Sequence, residues 1–195
     1  MVIAPQLMSL EDYFNYDDDT ETRYELEDGE LLIMPPESDL NLRIASFLFA
    51  YFIRLGIPSY RLRIGTEIVV TGTKATVRLP DLMVLTEDLA IALQSATRST
   101  VTIDMPPPQL VLEVVSPGKQ NKDRDYRYKR SQYQARGIKE YWIVDPLEQQ
   151  ITLFHLVEGL YEEKSFQGQD AIASPILSEL SSESQLTVAQ VLKAQ

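Results

Sequence analysis

Two apolar runs in this chain each carry a single carboxylate. The first is Leu79-Pro80-Asp81-Leu82-Met83-Val84-Leu85, and the second is Leu110-Val111-Leu112-Glu113-Val114-Val115. Runs of Val, Leu and Met at this length are strands buried on both faces, or nearly so. A carboxylate inside such a run is costly to bury unless a cation compensates for it. Two of them on neighbouring strands point to a divalent metal, and the basic helix that follows, Lys122 to Arg136, offers a second source of positive charge.

The 195 residues, 44% hydrophobic and 24% charged, describe a globular chain with enough apolar material for one sizeable core. One domain over residues 1–195 is expected, with a short N-terminal helix over 7–16 and a helical tail over 175–195. No apolar run approaches the roughly 20 residues of a membrane span, and Met1 to Leu10 lacks the positive start of a signal peptide. With no cysteine there are no disulfides, thiolate zinc sites or cysteine nucleophiles. A cytoplasmic location fits. His155 is the only histidine, which excludes any site built on two, and it falls in a strand pattern that suits a structural role.

Net charge is −11, which argues against a general nucleic-acid binder. Its distribution is uneven. Lys119 to Lys139 holds eight Lys or Arg against Asp123 and Asp125, so that segment is +6 and the other 174 residues carry −17. Such a patch is either a phosphate-facing surface or a solvated helix face.

Along the chain, Ser9-Leu10-Glu11-Asp12 resembles a capping box opening the first helix. Tyr24 to Met34 forms a hairpin turning at Asp28-Gly29. Leu40, Ile44, Phe47, Leu48, Tyr51, Phe52 and Leu55 recur at helical spacing before Gly56. Strands are expected over 60–70 and 76–85, a partly helical stretch over 87–96, and the Glu113 strand after Pro106-Pro107-Pro108. The basic helix runs to Arg136 and stops at Gly137. A strand over 141–144, a hairpin turning at Glu158-Gly159 and a helix over 186–192 complete the reading.

Asp81 and Glu113 fit two strands joined by a long excursion, with both acids projecting from one end of the sheet. Bound Mg²⁺ or Mn²⁺ relieves the repulsion between two such anions. At about 100° per residue, Lys129 shares a helix face with Lys122, Asp125, Tyr126 and Tyr133. The tyrosines make that face the inner one, and Arg127 and Arg130 diverge from it. The plainer alternative for Lys129 is a surface i,i+4 pair with Asp125. Acid, acid and lysine on a small α/β scaffold is the chemistry of metal-dependent phosphodiester cleavage.

The ordered set Tyr24-Glu25-Leu26-Glu27-Asp28-Gly29-Glu30-Leu31, Leu79-Pro80-Asp81, Leu112-Glu113-Val114-Val115-Ser116-Pro117 and Gly137-Ile138-Lys139-Glu140-Tyr141-Trp142-Ile143-Val144-Asp145-Pro146 resembles the PD-(D/E)XK nuclease core. More narrowly, it is similar to the bacterial family of putative restriction endonucleases, over roughly Leu7 to Val157. The resemblance implies an α/β restriction-endonuclease-like sandwich, with a central mixed β-sheet flanked by helices. It implies metal binding by Asp81, Glu113 and the Val114 carbonyl, with Mg²⁺ or Mn²⁺ as cofactor and DNA as partner. A homodimer is expected, since two symmetric sites suit two strands.

Two positions depart from the pattern. Val115 stands where the superfamily lysine usually lies, which moves that role to Lys129 on the next helix, with Lys122 in reserve. Asn41 stands where relatives often have histidine. Glu25 matches a motif position, although a hairpin residue there also fits structure alone. Three functions follow: a DNA endonuclease, a non-catalytic module of the same fold that binds a protein or nucleic acid, and a metal-dependent enzyme acting on another phosphate ester.

Overall fold

A computed structural model describes residues 7–180 and 185–193. The capping box forms: the Ser9 and Asp12 side chains each bond the other's backbone N–H at the start of α1 (Leu10–Phe14). The hairpin forms as β1 (Arg23–Glu27) and β2 (Glu30–Met34). Its turn residues Asp28 and Gly29 both have positive φ, 48° and 84°, which matches the right-handed twist of the flanking strands.

The two strands expected over 60–70 and 76–85 are each broken. The first divides at Gly65, which has φ of 74°, into β3 (Leu62–Arg63) and β4 (Glu67–Val70). The second divides at Leu79-Pro80 into β5 (Thr76–Arg78) and β6 (Leu82–Val84). A left-handed residue and a residue without a backbone N–H both end an extended ladder. The halves then join different sheets.

The remaining strands are β7 (Thr100–Val101), β8 (Leu110–Val114), β9 (Glu140–Asp145), β10 (Gln150–Val157) and β11 (Leu160–Gln167). A five-stranded sheet has the order β2-β1-β5-β4-β7, and a six-stranded sheet the order β11-β10-β9-β8-β6-β3. Both are mixed, since β4 pairs parallel with β7 and β8 parallel with β9. The expected α/β sandwich is therefore built on two sheets, joined where the broken strands cross between them.

Side-chain alternation divides the larger sheet between two cores. Leu82, Leu112, Val114, Trp142 and Val144 pack against Ile44, Leu48 and Phe52 of α2 (Asp39–Arg54). Met83, Val111, Val115, Tyr141 and Ile143 pack on the other side with Tyr133 and with Leu89 of α3 (Glu87–Gln94). Each such buried side chain contributes about 1.5–3 kcal/mol. The sheet is thus held from both faces, and the ends of β6 and β8 are rigidly placed.

The basic helix is continuous from Lys119 to Arg136 but not uniform. It consists of α4 (Lys119–Asp123), a π-helical turn over Arg124–Lys129 and α5 (Arg130–Arg136). Gly137 closes it in the left-handed conformation, φ 79°. The C-terminal region forms α6 (Pro175–Leu180) and α7 (Val188–Lys193), while Leu186 packs in the core just before α7. Positions 181–184 and 194–195 of the expected tail lie outside the described residues. Among the described residues no helix is long and apolar enough to cross a membrane.

Candidate active site

β6 and β8 are adjacent and antiparallel, with Leu82 opposite Leu112, so Asp81 meets β8 at Glu113 and Val114. Asp81 Oδ2 accepts a 2.6 Å hydrogen bond from the Val114 N–H. Asp81 is partly exposed at a cleft of about 60 Å³ that Glu37, Asn41 and Pro80 also line. Burial of its carboxyl and the nearby negative charge of Glu113 hold its pKa well above the usual carboxylate range.

Glu113 faces the basic helix. Its Oε1 accepts from the Tyr133 hydroxyl at 2.7 Å, and Lys129 Nζ lies 2.8 Å from its Oε2. Burial raises its pKa, Lys129 opposes the rise, and Asp125 and Glu25 add to it, leaving the group at about 7.

Lys129 is only 2% exposed and sits among three carboxylates: Glu113 at 2.8 Å, Asp125 at 3.4 Å and Glu25 at 3.5 Å. Burial alone would lower its pKa, but these three acids raise it instead, so the lysine stays charged. The Asp125–Lys129 pair exists, but it is buried rather than on the surface. The π-helical turn helps to make it so. A wider turn has fewer degrees per residue, so four residues come closer to a full revolution. Asp125, Lys129 and Tyr133 then stay on one buried line.

Glu25 belongs to this cluster as well. It is buried, with Oε2 bonded to Arg78 Nη1 at 3.0 Å and Oε1 accepting from the Leu79 N–H at 3.0 Å. Burial pushes its pKa up, but Lys129, Arg78 and Arg124 outweigh burial and hold the group at about 2. Arg78, which sequence reasoning passed over, is wholly buried and also bonds Glu27 at 3.0 Å and Gln132 at 2.9 Å. An arginine two residues before Pro80, with Glu25 and Glu27 alternating on the hairpin, was the available signal.

Asn41 reaches the rim of the site. Its Nδ2 lies 3.4 Å from the Val114 carbonyl oxygen, 3.2 Å from Ser116 Oγ and 3.3 Å from Glu37 Oε2. Lys122 does not join the site. It is 45% exposed and pairs with Glu148 at 2.9 Å and Asp145 at 3.5 Å. The basic patch is also less open to phosphate than its composition implies. Arg127 approaches Asp123 at 4.0 Å, Arg130 pairs with Glu163 at 3.3 Å, and Arg136 donates to the carbonyls of Thr102 and Met105.

The donor set fits a hard divalent cation. Asp81, Glu113 and the Val114 carbonyl offer oxygen only, the ligand chemistry of Mg²⁺ or Mn²⁺. Three cations, Arg78, Arg124 and Lys129, face five carboxylates, Glu25, Glu27, Asp81, Glu113 and Asp125. Among the described residues no three acidic or His side chains gather as a dedicated cage. Mg²⁺ commonly takes one or two carboxylates and keeps several waters.

The family model described as "Putative restriction endonuclease" (Uma2) matches residues 10–189. No curated protein matches the chain. A solved structure, titled as a putative nuclease belonging to DUF820 from Anabaena variabilis, aligns with a TM-score of 0.70 at 16% identity, covering 96% of this chain and 98% of that one. At that identity the two share a fold. The match over residues 10–189 establishes that the chain belongs to the Uma2 putative restriction endonuclease family.

Proposed function

We propose that the protein is a metal-dependent endonuclease that hydrolyses phosphodiester bonds in DNA. One observation carries the reading: Asp81, at a cleft, lies one register step beyond the Leu82–Leu112 pair and so opposite Glu113, with Lys129 Nζ 2.8 Å from Glu113. Asp81, Glu113 and the Val114 carbonyl would hold Mg²⁺ or Mn²⁺. When bound, the ion supplies Lewis-acid stabilisation of the scissile phosphate and makes water a stronger nucleophile at neutral pH.

The chain's own residues set up that chemistry. The Val114 N–H fixes one oxygen of Asp81, a residue of the cleft wall. Tyr133 and Lys129 orient Glu113, and Lys129 favours its ionised form against the cost of burial. The lysine charge also offsets negative charge building on the phosphate. Glu25 and Arg78 fix the strand before Asp81 through the Leu79 N–H. A homodimer would present one such site to each DNA strand.

The pairing of the helix cations within the chain favours a second reading, a non-catalytic module that binds a partner. Nicking of supercoiled plasmid separates the two. The endonuclease nicks with Mg²⁺, and both EDTA and Asp81→Asn abolish the activity. Nicking that persists without metal, or that never occurs, would end the metal-dependent reading.

A further inference from the structure

We infer that Arg23 clamps the phosphate next to the scissile one, so that the substrate strand runs from Asp81 across the start of β1. The inference rests on the nuclease reading above. Three cavities meet at Arg23 and Leu79. One is the Asp81 cleft of about 60 Å³. The others measure about 340 Å³, with Tyr16 and Tyr24 in the wall, and about 660 Å³, with Ile33 and Met34.

Arg23 is the free cation of this groove. It is exposed, and no hydrogen bond or ion pair engages its side chain among the described residues. The other cation in the lining, Arg98, is committed to Glu67 at 2.8 Å through both Nε and Nη2. Glu37, Asp17 and Asp18 also line the groove. Arg23 is therefore the point in this otherwise acidic groove at which a phosphodiester meets an uncommitted positive charge. A guanidinium presents paired donors that fit two phosphate oxygens.

The position of Arg23 relative to Asp81 is set by rigid parts. Arg23 pairs with Met34 in the hairpin. Glu25, two residues on and on the same strand face, is bonded to Arg78 and to the Leu79 N–H. Arg23 thus acts as a positioning residue that binds substrate outside the reacting atoms.

The test uses the full chain in an Asp81→Asn background and measures binding of a short labelled DNA duplex by anisotropy across a salt series. Adding Arg23→Ala should weaken binding roughly tenfold and reduce the slope of log Kd against log salt by about one. Arg23→Lys should keep the slope, and Lys164→Ala, on β11, should change neither. In the cleavage-competent chain, Arg23→Ala should raise KM and leave kcat in place. Unchanged affinity and slope in Arg23→Ala, with DNA still bound, would overturn the Arg23 assignment alone. A chain that neither binds DNA nor cuts it with metal would overturn the nuclease reading, and this assignment with it.

Discussion

Lys129 Nζ lies 2.8 Å from Glu113 Oε2, and both side chains are almost wholly withdrawn from water. The pair joins the basic helix to the β8 strand, so one contact serves both the fold and the proposed chemistry. Removing one partner of a buried pair costs about 3–5 kcal/mol, because the other charge stays buried. Lys129→Ala should therefore lower stability in urea by that amount. At a temperature where it stays folded, it should also cut plasmid about 10²–10³ times more slowly. Lys122→Ala, at an exposed pair, should shift stability by no more than about 1 kcal/mol and leave cleavage intact.

Glu25 gives the pH dependence. Its folded pKa of about 2 lies below the ordinary value of 4.5. A depressed carboxylate contributes stability that is fully present above 4.5 and is lost as pH falls through 2. The contribution is about 3 kcal/mol. Carboxyl NMR across an acid titration should find Glu25 still ionised at pH 3. A midpoint near 4.5 would contradict the buried Arg78–Glu25–Lys129 arrangement.

Arg78→Ala should destabilise the chain by about 3–5 kcal/mol, since it strips Glu25 of its 3.0 Å partner in a site closed to water. Equilibrium urea unfolding reads this directly. A loss under 1 kcal/mol would mean that Glu25 is held by Lys129 and the Leu79 N–H alone.

Asp81 should behave in the opposite way. Burial and Glu113 make its ionised form unfavourable, and an amide keeps an oxygen for the Val114 N–H. Metal-free Asp81→Asn should unfold at a temperature equal to or above that of the parent. Mg²⁺ at 100 times its Kd should stabilise the parent by about 2.7 kcal/mol and leave Asp81→Asn unmoved. A variant that is less stable without metal, yet still responds to Mg²⁺, would mean that Asp81 serves structure rather than the ion.

Much of this site is legible before any coordinates. The Asp81–Glu113 pairing follows from acids inside apolar strands, and the inward turn of Lys129 follows from the tyrosines that share its helix face. Glu25 and Arg78 are harder to read. Their bond spans 53 residues, and nothing local to either names the other. The division of two strands between sheets is hidden for a similar reason: Gly65 and Pro80 mark a break, but apolar runs do not say which sheet each half joins. The quenching of the basic patch depends on Glu148 and Glu163, acids contributed by segments folded back from later in the chain.

A crystal soaked in Mn²⁺ tests the central claim most directly, through the anomalous signal of the metal. The account predicts a peak with oxygen contacts of about 2.1 Å to Asp81, Glu113 and the Val114 carbonyl. A cleft empty of signal at saturating Mn²⁺, or a peak bound elsewhere without Asp81, would contradict it.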